Sequence, residues 1–218
     1  MKFHDRRQAG RLLAQRVAAE GLDDPLILAL PRGGVPVAYE VARALAAPLE
    51  VFVARKLGAP HRPELGIGAI AEGGRGVIDD HTVASLRVSP DQLDHIIDAE
   101  RRELDRRVQR YRGDRALPDL AGREIVLVDD GLATGVTARA AIQALARHEP
   151  GRLVLAIPVC ARQTAERLRR TGTEVIAVLQ PDNLLAVGAW YDNFDQTTDD
   201  EVIELLHATA HPAAPHPS

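Results

Sequence analysis

Short apolar runs alternate with stretches of helical spacing along this chain. The apolar runs, rich in branched residues, predict buried strands at residues 25–30, 49–54, 125–128, 152–159 and 174–179. Apolar positions at helical spacing predict helices at residues 5–20, 35–45, 90–111, 137–145, 161–171 and 199–210. Strands that alternate with helices predict an α/β fold with a parallel, doubly wound sheet covered on both faces. Binding sites in such folds lie where the strands end.

Three segments lack a clear period. Residues 57–76 are rich in Gly and Pro, and we expect a long loop with short strands inside it. Residues 180–196 hold Trp190, Tyr191 and Phe194, which are three of the chain's seven Trp, Tyr and Phe residues. Residues 211–218, dominated by Pro, His and Ala, predict a disordered tail.

Composition narrows the functional class. The 218 residues are enough for one α/β domain with a real core, and the formal net charge of −4 disfavours a general nucleic-acid binder. The single cysteine, Cys160, excludes an intramolecular disulfide and fits a reducing compartment. No apolar run has the length of a membrane span, and the N-terminus lacks a signal-peptide core. We expect a cytoplasmic protein with no membrane partner.

The strand at residues 125–128 leads into the most informative stretch, Asp129-Asp130-Gly-Leu-Ala-Thr-Gly-Val-Thr137. A Gly/Thr turn that opens a helix presents backbone N–H groups and hydroxyls, which suit a phosphate. The acidic pair repels phosphate and is better suited to sugar hydroxyls or to a divalent cation. Phosphate on one side and vicinal hydroxyls on the other describe a ribose 5-phosphate.

This stretch resembles the phosphoribosyl pyrophosphate (PRPP) signature of the type I phosphoribosyltransferases. The resemblance implies that Asp129 and Asp130 bind the ribose, and that the 5-phosphate is bound by Ala133, Thr134, Gly135, Val136 and Thr137. It also implies a type I phosphoribosyltransferase fold with a small hood. We expect one domain over residues 1–210, with a core at 25–179 and a hood from residues 180–196 and the N-terminal segment.

The first predicted strand ends in Pro31-Arg32-Gly33-Gly34, a second turn that opens a helix. Glycines let the main chain approach an anion closely, and Arg32 can contact it bidentately. In the family this position is the pyrophosphate loop, which implies that Arg32, Gly33 and Gly34 bind pyrophosphate. The resemblance further implies a non-proline cis peptide bond near Arg32.

Arg55 and Lys56 end the second predicted strand and resemble the Arg-Lys pair that adenine and orotate phosphoribosyltransferases place before a mobile loop. The resemblance implies a role in pyrophosphate binding, and the alternative is a pair of exposed charges. Glu72, in the loop that would close over the site, matches the glutamate of the adenine enzymes. Gly73 replaces the tyrosine that follows it there. Glu72 is therefore either a catalytic acid or base or an exposed loop residue.

Residues 185–192 resemble the base-binding segment of hypoxanthine-guanine phosphoribosyltransferases through Val187, Gly188 and Asp192. The resemblance implies that Asp192 contacts the acceptor or a metal. Leu185 occupies the place of the stacking aromatic residue, so either Trp190 or Tyr191 supplies the ring, or both rings pack a small lobe.

The resemblance implies a transferase that moves ribose 5-phosphate from PRPP to a nitrogenous base or amine, with Mg²⁺ bound at Asp130 and Asp192. We expect a homo-oligomer, a dimer in the simplest case. The alternative is a PRPP-binding regulatory protein with little or no catalysis. Ala133 stands where hypoxanthine-guanine enzymes carry an Asp, and residues 157–161 lack their Lys, so we expect a different acceptor.

Overall fold

The structure, a computed structural model, describes residues 2–74 and 76–210. The predicted disordered tail, residues 211–218, lies outside the described residues. The strands are β1 (Leu26–Ala29), β2 (Leu49–Val51), β3 (Ala54–Ala59), β4 (Arg62–Ala71), β5 (Val77–Ile78), β6 (Glu124–Val128), β7 (Arg152–Val159) and β8 (Glu174–Leu179). The helices are α1 (Arg6–Ala18), α2 (Gly34–Leu45), α3 (Asp80–Ser85), α4 (Pro90–Arg112), α5 (Val136–Ala146), α6 (Arg162–Arg170) and α7 (Asp199–Ala210), and a 3₁₀ turn covers Val187–Trp190.

The chain divides into two compact units. The first comprises Met1–Val51, Gly122–Ala133 and Gly151–Ser218, and the second comprises Phe52–Ala121 and Thr134–Pro150. The expected single domain over residues 1–210 stays a prediction.

The first unit contains a five-stranded sheet in the order β2-β1-β6-β7-β8, with every neighbouring pair parallel. The apolar residues of the central strand β6 are fully buried, as a run of Ile, Val and Leu predicts for a strand covered on both faces. Helices α1 and α2 pack against each other, α1 against β7 and β8, and α2 against β1. The chain passes from β1 to β2 toward one edge of the sheet and from β7 to β8 toward the other, so the usual right-handed crossovers predict α2 and α6 on opposite faces. The predicted α/β fold with a parallel sheet is confirmed.

The N-terminal segment and the segment after β8 pack together in the first unit. Phe3 forms an isolated parallel bridge with Tyr191, and the two rings lie 5.3 Å apart. Phe3, Ala9, Val159 and Tyr191 form the buried centre of this cluster, which Trp190, Val187 and Phe194 border. This cluster is the lobe that the sequence predicts from its aromatic residues.

The second unit contains a three-stranded antiparallel sheet in the order β3-β4-β5. The prediction of a long loop over residues 57–76 was wrong for most of its length, because β3 and β4 form a paired hairpin. The predicted strand over residues 49–54 is also corrected: β2 ends at Val51, and Ala54 begins β3 in the second sheet. The loop prediction failed because the hairpin is rich in Gly and Ala, which give little apolar periodicity.

Two helices of the second unit, α3 and α4, begin at side-chain caps. Asp79 accepts a hydrogen bond from the N–H of Thr82 at the start of α3, a six-residue helix that the sequence analysis missed. At the start of α4, Ser89 and Gln92 form a reciprocal capping box before Pro90 at the first helical position. On the exposed face of α4, Glu103 pairs with Arg106 and Arg107, which lowers the pKa of Glu103 to about 2.

None of the helices in the described part of the chain has the length and hydrophobicity that crossing a bilayer requires.

The burial of β6 predicts how truncation should affect stability. Leu127 is 0% exposed, so Leu127→Ala should leave a cavity and lower the free energy of unfolding by about 2–5 kcal/mol. Leu185→Ala is the matched control, because that side chain is 91% exposed and should leave stability unchanged. Urea denaturation of both variants checks this. Equal midpoints would contradict the central position of β6.

Candidate active site

The acidic pair lies where β6 ends, as predicted. Asp129 and Asp130 are adjacent carboxylates, and the N–H of Asp130 donates to Oδ1 of Asp129 over 2.8 Å. Burial raises the pKa of the Asp129 carboxyl well above its usual range, and the negative charge of Asp130 raises it further. Burial also raises the pKa of Asp130, although the guanidinium of Arg6 opposes that shift. A hydroxyl donor or a cation bound by these carboxylates would stabilise their charged forms.

The turn after β1 lies directly against this pair. A Cβ atom built on Gly33 would be 2.0 Å from Oδ2 of Asp130, and one built on Gly34 would be 3.0 Å from Cα of Asp129. Glycine is therefore required at both positions for the backbone to approach the carboxylates. The peptide bond between Pro31 and Arg32 is cis, as the resemblance implies. The structure thus brings the predicted pyrophosphate turn and the acidic pair together.

Arg32 is oriented toward the start of α7. Its Nη1 lies 3.7 Å from Oδ1 of Asp199, and the Arg32 side chain is 26% exposed. The guanidinium is partly accessible to solvent in this arrangement.

Arg6, in the first turn of α1, is a site residue that the sequence analysis missed. Its Nε donates to Oδ2 of Asp130 over 2.8 Å, and its Nη1 donates to the backbone oxygen of Asp195 over 2.7 Å. One sequence signal could have found it. Arg6 and Arg7 occupy a first turn without an acidic residue, where cations oppose the helix dipole and therefore suggest another purpose.

The segment after the acidic pair is anchored to the end of β7. The N–H of Leu132 donates to the oxygen of Val159, and Oγ1 of Thr164 donates to the oxygen of Ala133 over 2.6 Å. A Cβ built on Gly131 would lie 2.3 Å from Cγ1 of Val187. The structure therefore places Val187, a predicted acceptor contact, beside the backbone of residues 129–133, which we call the acidic loop.

The other predicted acceptor residues have different surroundings. Tyr191 is 4% exposed, its ring lies 4.9 Å from that of Phe194, and its hydroxyl donates to the backbone oxygen of Asp130. Burial raises the pKa of this phenol. Tyr191 is thus a packed lobe residue, which is the alternative to its predicted acceptor contact. Trp190 is half-buried at the border of the same cluster, and Asp192 is exposed.

The predicted phosphate loop continues into the second unit at Thr134. Gly135 is the N-cap of α5 with φ of 77°, a left-handed conformation that favours glycine and has no side chain to cap the helix. The first-turn N–H groups of α5, including those of Val136 and Thr137, are the kind of donors that bind phosphate. Thr134 is exposed.

Arg55 and Lys56 lie within β3, not at the end of a strand of the parallel sheet. Nη2 of Arg55 lies 2.7 Å from Oε2 of Glu100, and Nζ of Lys56 donates to the backbone oxygen of Glu64 over 2.9 Å. Both cations therefore have partners within the second unit.

Glu72 is not an exposed loop residue. Its carboxylate forms an ion pair with Arg112, whose side chain is 5% exposed, and its Oε1 accepts a 2.9 Å hydrogen bond from the N–H of Val53. Among residues 2–74 and 76–210, no cluster of three or more His, Cys, Asp or Glu residues is arranged to hold a metal ion.

Comparison with known proteins identifies the family. The model of the phosphoribosyl transferase domain matches residues 4–188. A protein of Mycobacterium tuberculosis H37Rv, "Putative phosphoribosyl transferase Rv0571c", is 45% identical over 204 residues. That match covers 94% of this chain and 46% of the relative, so the chain spans about half the length of the curated relatives it matches.

Comparison with solved structures also finds proteins of similar fold. The protein TT1426 from Thermus thermophilus is 42% identical with a TM-score of 0.78, over 94% of this chain and 98% of that one. A hypothetical protein from Neisseria gonorrhoeae, solved with bound ppGpp, has a TM-score of 0.52 at 14% identity, over 95% and 98% of the two chains, and shows similarity of fold alone. The resemblance stated from the signature is confirmed. The family model covers most of the length of the chain, so the chain belongs to the family of proteins with a phosphoribosyl transferase domain.

Proposed function

We propose that this protein is an enzyme that transfers ribose 5-phosphate from PRPP to a ring nitrogen or an amine and releases pyrophosphate. The main support is the contact between the glycine turn and the acidic pair, where only hydrogen on Gly33 leaves room for Oδ2 of Asp130. PRPP carries its pyrophosphate on the ribose, next to the ribose hydroxyls. A turn whose backbone can bind an anion, placed beside carboxylates that can bind hydroxyls, would suit such a molecule.

The chemistry is mainly positioning and charge stabilisation. The bond from ribose C1 to pyrophosphate breaks with both electrons going to the pyrophosphate oxygen, and the acceptor nitrogen then bonds to C1 and loses its proton. Asp129 and Asp130 would hold the ribose hydroxyls and face the electron-poor sugar that develops. The N–H groups from Ala133 to Thr137 would hold the 5-phosphate and so fix C1 relative to the acceptor.

The leaving pyrophosphate needs positive charge and donors. Arg32, Gly33 and Gly34 would supply them in the first unit, and the contact that Arg32 would give up, to Asp199, is a long one. Arg55 and Lys56 of the second unit enter the proposal through their sequence motif. For pyrophosphate to bind there, Arg55 would exchange or share its contact with Glu100.

Mg²⁺ belongs to this proposal as the ion that accompanies PRPP. The donor set fits, since Asp129 and Asp130 provide hard oxygen ligands whose mutual repulsion a cation relieves. Mg²⁺ usually binds one or two carboxylates together with substrate phosphates, so a larger protein cage is unnecessary. When bound, Mg²⁺ would neutralise the charge of the pyrophosphate. Asp130 is the proposed ligand, with Asp192 as a second, exposed candidate. Dimer formation and a cytoplasmic location stay predictions.

PRPP binding should depend on the acidic pair and on the phosphate loop. Asp130→Asn removes a charge, and Thr134→Ala removes a hydroxyl donor. Each should weaken PRPP binding by about 1–3 kcal/mol, the scale of a hydrogen bond to a charged group. Titration calorimetry with PRPP and Mg²⁺ measures this, with Asp94→Asn, an exposed carboxylate of α4, as the control. Undiminished affinity in both variants would remove this loop from the site, whereas PRPP binding without turnover of any acceptor would favour the regulatory alternative.

The acceptor should be neither hypoxanthine nor guanine. Position 133 carries no carboxylate to exchange a proton with a purine, and the oxygen of Ala133 is already bonded to Thr164. A site that lacks a donor for a buried 6-oxo group discriminates strongly against it. Adenine, a pyrimidine or another amine should react faster when pyrophosphate release is measured with each acceptor. Hypoxanthine or guanine turnover at about 10 per second, an ordinary enzymatic rate, would contradict this assignment.

Glu72 should matter more for stability than for chemistry, because Arg112 and Val53 already engage its carboxylate. Glu72→Gln removes the carboxylate charge from this buried ion pair and should lower the free energy of unfolding by about 3 kcal/mol. Glu166→Gln is the matched control, since Glu166 is exposed on α6 and substitutions at such positions change stability by at most about 0.5 kcal/mol. Denaturant unfolding and kcat are measured on both. A fall in kcat of about a hundredfold or more at unchanged stability would instead assign Glu72 as the acid or base.

A further inference from the structure

Arg6 makes three contacts that its place in α1 does not require. Its guanidinium donates to Oδ2 of Asp130 and to the backbone oxygen of Asp195, and Cζ lies 3.8 Å from the centre of the Phe194 ring. The side chain is 12% exposed. The guanidinium of Arg6 is thus held by three contacts, one with Asp130 and two with residues after the 3₁₀ turn, Phe194 and Asp195.

The neighbouring arginine shows that the pairing is specific. Arg7 occupies the same first turn, is exposed, and lies 5.8 Å from the ring of Tyr39. Both arginines oppose the helix dipole, yet of the two it is Arg6 that reaches a carboxylate of the site. The planar fork of a guanidinium can serve two acceptors at once, which a lysine ammonium on a flexible stem does less well.

Asp130 is held from several sides. Arg6 binds its Oδ2, the backbone of Gly33 closes on the same oxygen, and the hydroxyl of Tyr191 donates to its backbone oxygen. A ligand therefore meets an oxygen whose position is already set. With Oδ2 enclosed in this way, a ribose hydroxyl or a cation would meet Oδ1 of Asp130.

We propose that Arg6 is a positioning residue for phosphoribosyl transfer, which holds Oδ2 of Asp130 so that Oδ1 faces the ribose. Through its hydrogen bond to Asp195 it also ties the segment after the 3₁₀ turn, which includes the predicted acceptor residue Asp192, to the acidic pair. This inference rests on the proposed function. Arg6 itself does not touch the reacting atoms; it acts through Asp130.

The test measures the affinity of PRPP with Mg²⁺ in the wild type, Arg6→Ala, Arg6→Lys and Arg7→Ala. We expect Arg6→Ala to weaken binding about tenfold or more, the effect of losing a hydrogen bond to a charged group. Arg7→Ala should bind as the wild type does. Arg6→Lys should recover part of the loss, because it restores the charge but only one of the two donated bonds.

Chemical rescue separates positioning from folding. Guanidinium chloride at millimolar concentration, far below denaturing levels, should restore PRPP affinity to Arg6→Ala and leave Asp130→Asn unchanged. A purely structural loss would not respond to a small cation that fits the vacated space. Thermal unfolding of each variant verifies that the compared proteins are folded.

The outcomes distinguish the two claims. A wild type that binds PRPP together with an Arg6→Ala variant of equal affinity would overturn the role of Arg6 and leave the proposed function standing. The role of Arg6 would also be overturned if a folded Arg6→Ala variant bound PRPP weakly, guanidinium did not restore its affinity, and Arg6→Lys bound no better. A wild type that does not bind PRPP would overturn the proposed function and this inference with it.

Discussion

Two like charges at the end of one buried strand are the constraint around which the first unit is arranged. Asp129 and Asp130 repel each other and lose hydration, so the folded protein must compensate for both costs. It does so with a donated backbone N–H and the guanidinium of Arg6, while Gly33 and Gly34 leave room for the two residues. Strand β6, buried and paired on both sides, gives these groups a rigid base. A polar ligand, as proposed, would add to this compensation.

Much of the parallel sheet could be predicted from the sequence, because each of its central strands is a continuous run of branched apolar residues. The predicted limits of β7, β8 and α7 coincide with those observed. The glycine-containing turns were equally informative. The Gly-Gly after β1 and the Gly-Leu-Ala-Thr-Gly after β6 mark backbone that must pass close to neighbouring groups.

The second unit was predicted less well, and the reason is physical. In β3 and β4 many positions carry Gly or Ala, whose small side chains blur the alternation that marks a half-buried strand. The pairing of Glu72 with Arg112 and of Arg6 with Asp130 spans 40 and 124 residues of sequence. Such contacts leave no periodic trace, so the sequence analysis left Glu72 open between a catalytic group and a free loop carboxylate, and passed over Arg6.

The contact between Gly131 and Val187 links the acidic loop to the lobe in a way that bears on how the protein can evolve. With a Cβ at position 131 only 2.3 Å from Cγ1 of Val187, a larger residue there demands a smaller one at 187. Val187 can become smaller on its own, because the clash arises only when position 131 gains a side chain. Under the proposed function, a larger residue in the loop proposed to bind ribose therefore has to follow a change in the segment proposed to bind the acceptor, which fixes the order in which the two can evolve.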